Sequence, residues 1–449
     1  MEKKLIIELC KKELTRTTGC TDPGVICYAV SLARKYLGST PEKIDLTLSL
    51  NIFKNAVNVG IPGTGESGIE LAAALGALSE NSDAKLSILE SVTPKMIEQA
   101  KELVNKKIIS VKSLFPDNIK EGLTPKDLLY IEVNAFKENE NVKVIIHSDY
   151  TNVALIEKNG KTVYKNEENI EVKGRMNIKG EKFSDLVNTI FSIEPESFDF
   201  LLDAAKINFE AAQKGLSDRN TIFGKSISGI SHCAIANELR PVACCTAKSV
   251  ETYTAAAGEA RMIGLKIPII ALTGSGNHGI TALVGVYSAS MKINPSNPVL
   301  LQALAISTIA TILFKSYLGR LTTICGCAVA ASVGVAAGVV HLLGGKIEDM
   351  VNAMHSVIGT FAGMICDGAK VSCAYKLSAA ASSAVEYAYF AMNGAYVPKG
   401  DGIVGFTIEQ TLENLATLNN IGMIETDRTI VRIMENMLKE KNKLKKLIN

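Results

Sequence analysis

The stretch "CAVAASVGVAAGVVHLLGG", residues 327–345, decides what kind of protein this is. It is either a membrane span or the centre of a packed core. A spanning helix needs about 20 strongly apolar residues. This run is Ala, Gly and Val with few large side chains, and His341 stands near its end. Small side chains on every face suit a helix packed tightly among others. We read it as a core helix, with no membrane involved. "PVLLQALAISTIATILFKSYL" (298–318) is apolar nearly all round and reads the same way. Beyond "FSDLV" (183–187) the chain reads as mostly helix. The mean hydropathy of +0.18 fits a large helical core.

Toward the N-terminus the texture is mixed. Residues 2–14 pattern as an amphipathic helix and 23–37 as a second, with Pro23 in its first turn. "KIDLTLSLNIF" (43–53) alternates apolar and polar side chains, which predicts a strand. A Gly-rich loop (58–68) leads into a helix, "IELAAALGALS". From 93 to 190 Lys, Glu and Asn become frequent, and short alternating runs appear at 128–136, 142–148 and 152–164. The last contains "KNGK", a hairpin signal. No repeat of about 20–50 residues marks a solenoid. The expectation is an α+β protein: a largely helical domain from 1–92 and 190–449 with apolar central helices, and an inserted smaller α/β lobe over 93–189.

The 449 residues are 47% hydrophobic and 21% charged, with a net charge of +2, so nothing argues for a nucleic-acid partner. The basic end, "KEKNKLKKLIN", reads as a solvated helix terminus. "MEKKLIIELCKKEL" does not pattern as a secretory signal, because Glu8 interrupts its apolar run. Ten cysteines without an export signal imply a reducing cytoplasm rather than a disulfide framework. Cys10, Cys27 and Cys233 read as small core residues.

Four motifs carry chemistry. "GTGESG" (63–68), with Glu90 further on, matches a dinucleotide fingerprint. Yet the first Gly of that fingerprint follows its strand directly; here "NAVNVGIP" intervenes. A nicotinamide site stays as a rival. "TGSGNHG" (273–279) follows an apolar run and opens a helix; it is an anion site or a plain turn. Cys325 and Cys327 in "ICGCAV", and Cys366 and Cys373 in "CDGAKVSC", lack the spacing of zinc knuckles. They are buried thiols or ligands of an iron–sulfur cluster, whose spacing rules are looser. Cys20 in "TGCTDPG" precedes a helix whose dipole favours a thiolate, and Asp22 could cap that helix.

Together these stretches resemble the iron–sulfur L-serine dehydratase alpha-chain superfamily, and within it the L-cysteine desulfidase branch. "GCTDP", "FKNAVNVGIPGTG", "AAAGEARMIG", "TGSGNHGI", "CGCAVAASVGVAAG" and "GMICDGAK" with its following Cys occur in that branch's order, over nearly the whole chain. The resemblance implies a [4Fe–4S] cluster held by three cysteines with one open iron, and no pyridoxal phosphate. Cys366 and Cys373 fall on two ligands. Cys327 is the third, with Cys325 as the alternative. It also implies Cys20 as the base in β-elimination of L-cysteine to pyruvate, ammonia and hydrogen sulfide, or of L-serine in the sister reaction. A metal centre of this kind acts as a Lewis acid on the leaving group. Lys54, Asn55, Ser275, Gly276 and Asn277 are candidates to hold the substrate carboxylate and amino group. Ala56 and His278 depart from the Gly and Gln of many relatives. A cytoplasmic homodimer is the expectation from base rates.

Overall fold

A computed structural model describes residues 1–114, 128–166, 178–231 and 242–448. The architecture is α+β, as expected, with two apolar cores. The first is built on a six-stranded sheet. Its strands are β2 (Lys43–Ser49), β3 (Ile109–Leu114), β4 (Tyr130–Lys137), β5 (Glu140–His147), β6 (Val153–Lys158) and β7 (Lys161–Lys165), in the order β3-β2-β4-β5-β6-β7. β2 and β3 run parallel and the other pairs antiparallel. The "KNGK" turn closes β6 onto β7, with Asn159 and Gly160 both at positive φ, as a two-residue hairpin of this twist requires. Helix Thr21–Leu37 lies on β4 and β5 and packs against helix Ile69–Leu78.

β2 comes from before residue 93 yet sits inside this sheet. The core beneath it runs from Val25 to Ile156 and takes in Ile430, Val431 and Met434 from the last helix, Ile424–Ile448. The rise in Lys, Glu and Asn after residue 93 thus marks the open face of the outer strands, while the core itself crosses that boundary. The strand expected over 43–53 ends at Ser49, and Leu50–Ala56 is helical. Its alternation runs straight into a buried helix, so periodicity did not reveal the change.

The second core holds the helices on either side of 327–345. Ala330–Leu342 is buried throughout apart from His341, and packs on Asn297–Leu318, Ile347–Phe361 and Ser372–Met392. At 13 residues it is too short to span a bilayer. Asn297–Leu318 is long and apolar enough to cross a membrane, but 78% of its most apolar window is buried against protein, so it serves as a core helix. β1 (Leu14–Thr18) pairs antiparallel with β8 (Pro268–Leu272), which ties the N-terminal segment to this half. Cys10 and Cys27 are core residues; Cys233 lies outside the described residues.

Candidate active site

One pocket is lined by residues of both cores, Cys327 from the second and Tyr150 from the first, together with Asp22, Asn55, Arg261 and with Cys20 and Cys373, which share a third, small cluster with Val59 and Met262. β1 delivers the chain to Gly19, and Cys20 becomes the N-cap of Thr21–Leu37 without a side-chain cap bond. Asp22 therefore does not cap the helix. It is 4% exposed, and its carboxylate accepts from Cys20 Sγ (3.6 Å), Asn55 Nδ2 (3.3 Å) and the Tyr150 hydroxyl (3.2 Å). Burial pushes Asp22 up to about 6 against those donors. Burial likewise pushes the Cys20 thiol up to about 12, with Arg261 pulling the other way. The expectation of a thiolate favoured by the helix N-terminus is corrected: desolvation outweighs the dipole, and Cys20 rests as a thiol.

Lys54 and Asn55 end the short helix Leu50–Ala56. Lys54 does not line the pocket. It is consumed by a buried ion pair with Asp427, 2.6 Å away on the last helix. Asp427 also accepts from Thr323 Oγ1 (2.9 Å), two residues before Cys325. Asn55 does line the pocket, and its Oδ1 is buried without a hydrogen-bond partner.

The "TGSGNHG" loop leaves β8 and begins a short helix that continues through a π-helical turn, Ile280–Val284. Such π turns often sit at functional sites. Ser275, Gly276 and Asn277 are all in this loop, and Ser275 and Asn277 line the pocket. Asn277 Oδ1 accepts from Arg261 Nη1 (2.9 Å), and Arg261 Nε donates to Gly19 O (3.1 Å). Gly276 makes room for that guanidinium: a Cβ there would lie 2.4 Å from Arg261 Nε. His278 Nδ1 pairs with Thr273 Oγ1 (2.7 Å), and burial, with Lys315 nearby, holds the imidazole neutral.

Three of the four motif cysteines come from two loops laid side by side. Cys325 N donates to Met364 O (2.8 Å) and Cys366 N to Thr323 O (2.6 Å). Cys373 sits in the first turn of Ser372–Met392. Cys325 and Cys327 sulfurs are 3.4 Å apart, and Cys373 is brought down to about 7 by a hydrogen bond from Cys327. Cys327, Cys366 and Cys373 line the pocket; Cys325 does not. Gly368, at φ +93, lets the loop cross Lys54, whose carbonyl oxygen would be 2.1 Å from a Cβ. Lys54, Lys315 and Lys370 lie close enough for Cys366 to shift their titration. Among the described residues no group of three His, Cys, Asp or Glu is placed to hold a single metal ion. Soft thiols on one pocket, cations around them and backbone brought close by glycine are donor chemistry that would fit an iron–sulfur cluster.

Sequence reasoning missed Asp22 as a pocket group, Tyr150, Arg261, Lys315 and Asp427. Arg261 had a signal, a lone cation in the Ala- and Gly-rich "AAAGEARMIG". "GTGESG" forms a loop after helix Leu50–Ala56, with Gly63 N bonded to Gly264 O, so the strand–turn–helix of a dinucleotide site is not formed. Glu90 instead accepts from Thr18 Oγ1 (2.6 Å).

Residues 83–432 match a family model described as serine dehydratase alpha chain. A UPF0597 protein of Methanocella arvoryzae is 40% identical over 97% of this chain and 99% of its own length. UPF0597 proteins of Clostridium perfringens (36%, over 98% and 99%) and Clostridioides difficile (35%, over 96% and 100%) are similar along their whole lengths too.

Proposed function

Since the chain belongs to the serine dehydratase alpha-chain family, a family of dehydratase-type lyases, we propose that it is a [4Fe–4S]-dependent L-cysteine desulfidase. It would convert L-cysteine to pyruvate, ammonia and hydrogen sulfide. The observation that carries this reading is the convergence of Cys327, Cys366 and Cys373 on the pocket that also holds Cys20. Those three cysteines would hold the cluster. When bound it supplies an iron not ligated by protein, a Lewis acid for the leaving group.

The chain's own residues handle the protons. Cys20 is the group proposed to take the α-proton, and as a resting thiol it must first shed its own. Asp22 Oδ2, 3.6 Å from Cys20 Sγ, is the acceptor within reach. Tyr150 and Asn55 hold that carboxylate in place. Once the α-proton is on Cys20, the Cα electron pair forms the Cα=Cβ bond as HS⁻ departs. That leaves Cys20 a thiol again, and the proton on Asp22 leaves with the departing HS⁻ as hydrogen sulfide, which restores the carboxylate. The aminoacrylate so released hydrolyses to pyruvate and ammonia in water.

Dehydration of L-serine is the second reading, favoured by the family's own description. Oxygen-free protein should contain iron and acid-labile sulfide, and should release sulfide and pyruvate from L-cysteine. Pyruvate from L-serine alone would move the assignment to the dehydratase. Full activity in iron-free protein would remove the cluster from the account.

A further inference from the structure

The pocket holds two buried, opposite charges, Arg261 and Asp22, that make no direct ion pair among the described residues, although Arg261 lies near enough to favour the Asp22 carboxylate. Arg261 is 2% exposed, and no carboxylate among the described residues lies within 4.0 Å of it. Its bonds to Gly19 O and Asn277 Oδ1 leave Nη2 without a described partner. Asp22 is 4% exposed and is met by a thiol, an amide and a phenol, none of them cationic. Beside it Asn55 Oδ1 is buried and unpartnered. The bond from Asn55 Nδ2 to Asp22 fixes which way that amide faces. Buried charge is expensive unless it meets its complement. A ligand carrying one anionic and one cationic group would satisfy both ends at once.

We propose that Arg261 binds the α-carboxylate of the substrate, and that Asp22 with Asn55 Oδ1 binds its α-ammonium. The inference rests on the amino-acid lyase reading of this pocket and names the substrate class it accepts: a free α-amino acid zwitterion. Cys20 adjoins Asp22 and feels the charge of Arg261, so a zwitterion held between the two ends presents its Cα to the thiol. The arrangement reassigns the polar contacts expected from the sequence. Lys54 is committed to Asp427, and Asn277 acts on Arg261 rather than on substrate. N-acylated amino acids, which lack a free α-ammonium, and peptides, which do not carry both free charges on one Cα, are excluded as ligands.

L-Alanine isolates this contact, because it carries both charges and no group that can leave. Calorimetry on anaerobically prepared protein should show L-alanine binding, with propionate and ethylammonium each weaker by about tenfold or more, the worth of a charge-assisted bond. Asp22→Asn should weaken L-alanine by about tenfold or more and leave propionate within about twofold. Arg261→Lys should weaken L-alanine and propionate and leave ethylammonium unchanged. Equal binding of all three probes by the unaltered protein would overturn the proposal, and needs no variant that folds. So would L-alanine affinity within about twofold in both variants. Sulfide release from L-cysteine in the same preparation separates the two readings. If L-alanine binds as described and no sulfide appears, the zwitterion site stands and the desulfidase reading falls.

Discussion

Replacing Asp427 by Asn tests how the last helix supports the site. Lys54 and Asp427 side chains are 1% and 3% exposed and 2.6 Å apart. The substitution keeps the shape, and the amide oxygen can still accept from Thr323. What it removes is the counter-charge of a buried ammonium. Breaking a buried pair from one side costs about 3–5 kcal/mol, because the remaining charge is stranded. Lys54→Met should cost a similar amount. The double variant Lys54→Met, Asp427→Leu should be far milder than the two losses added, since no charge remains to strand. Chemical denaturation of the three variants and the wild type closes the cycle. The pH dependence supplies an internal check. Burial is the largest influence on Lys54 and opposes its charge, but Asp427, Cys366 and Asp367 together hold the group above 10.5. A cationic group raised in this way contributes its full stability below the unfolded value and loses it only as pH climbs through the folded one. The Asp427→Asn deficit should therefore be flat from about pH 6 to 9. A deficit under about 1 kcal/mol, the level of a surface pair, would refute the argument that this ion pair is a desolvated strut.

Cys327→Ser should lose iron from anaerobically prepared protein and Cys325→Ser should retain it; the reverse pattern, read by iron content, would exchange their roles. Gly368→Ala should destabilise the Cys366–Cys373 loop by more than the roughly 1–2 kcal/mol of left-handed strain, because its Cβ also meets Lys54 O; thermal unfolding and iron content report it. Asp22 is raised from 3.8 to about 6 in the folded protein, so its stabilising contribution is present at low pH and lost as pH rises through about 6. Wild-type stability should accordingly fall relative to Asp22→Asn between pH 4 and pH 7, and parallel curves would show no such linkage. Cys20→Ala should keep iron and lose turnover, and at about pH 8 iodoacetamide should label Cys20 far more slowly than a free cysteine of pKa about 8.5; labelling at the free rate, by peptide mass spectrometry, would contradict the buried thiol.

The legible parts of the sequence were those whose meaning is local. A run of Ala, Val and Gly around 327–345 can only be packed closely, and it is. Cys20 and Cys327, each next to a glycine, and Cys366 and Cys373 at the two ends of "CDGAKVSC" announce themselves as candidates by residue type. Lys54 shows where local reading stops. At the end of an alternating segment it resembles a solvated or substrate-facing lysine, and only a partner 373 residues away makes it structural. Tyr150 and Asp427 carry no pattern in their own neighbourhoods, because their roles exist only once two cores meet. Cys20 marks a different boundary, set by magnitude. A helix N-terminus is worth about 0.3–1 kcal/mol to an anion at a surface, and up to about 2 when partly buried. That is at most some 1.5 pKa units, at about 1.4 kcal/mol each. Burial moves the thiol from 9.0 to about 12. The dipole favours the thiolate, as the sequence suggests, but it is the smaller effect at a site 2% exposed. What brings Cys20 to react must therefore be a neighbour that takes its proton or a ligand that changes its surroundings. The pocket supplies both a carboxylate at the thiol and a place beside it for a charged substrate.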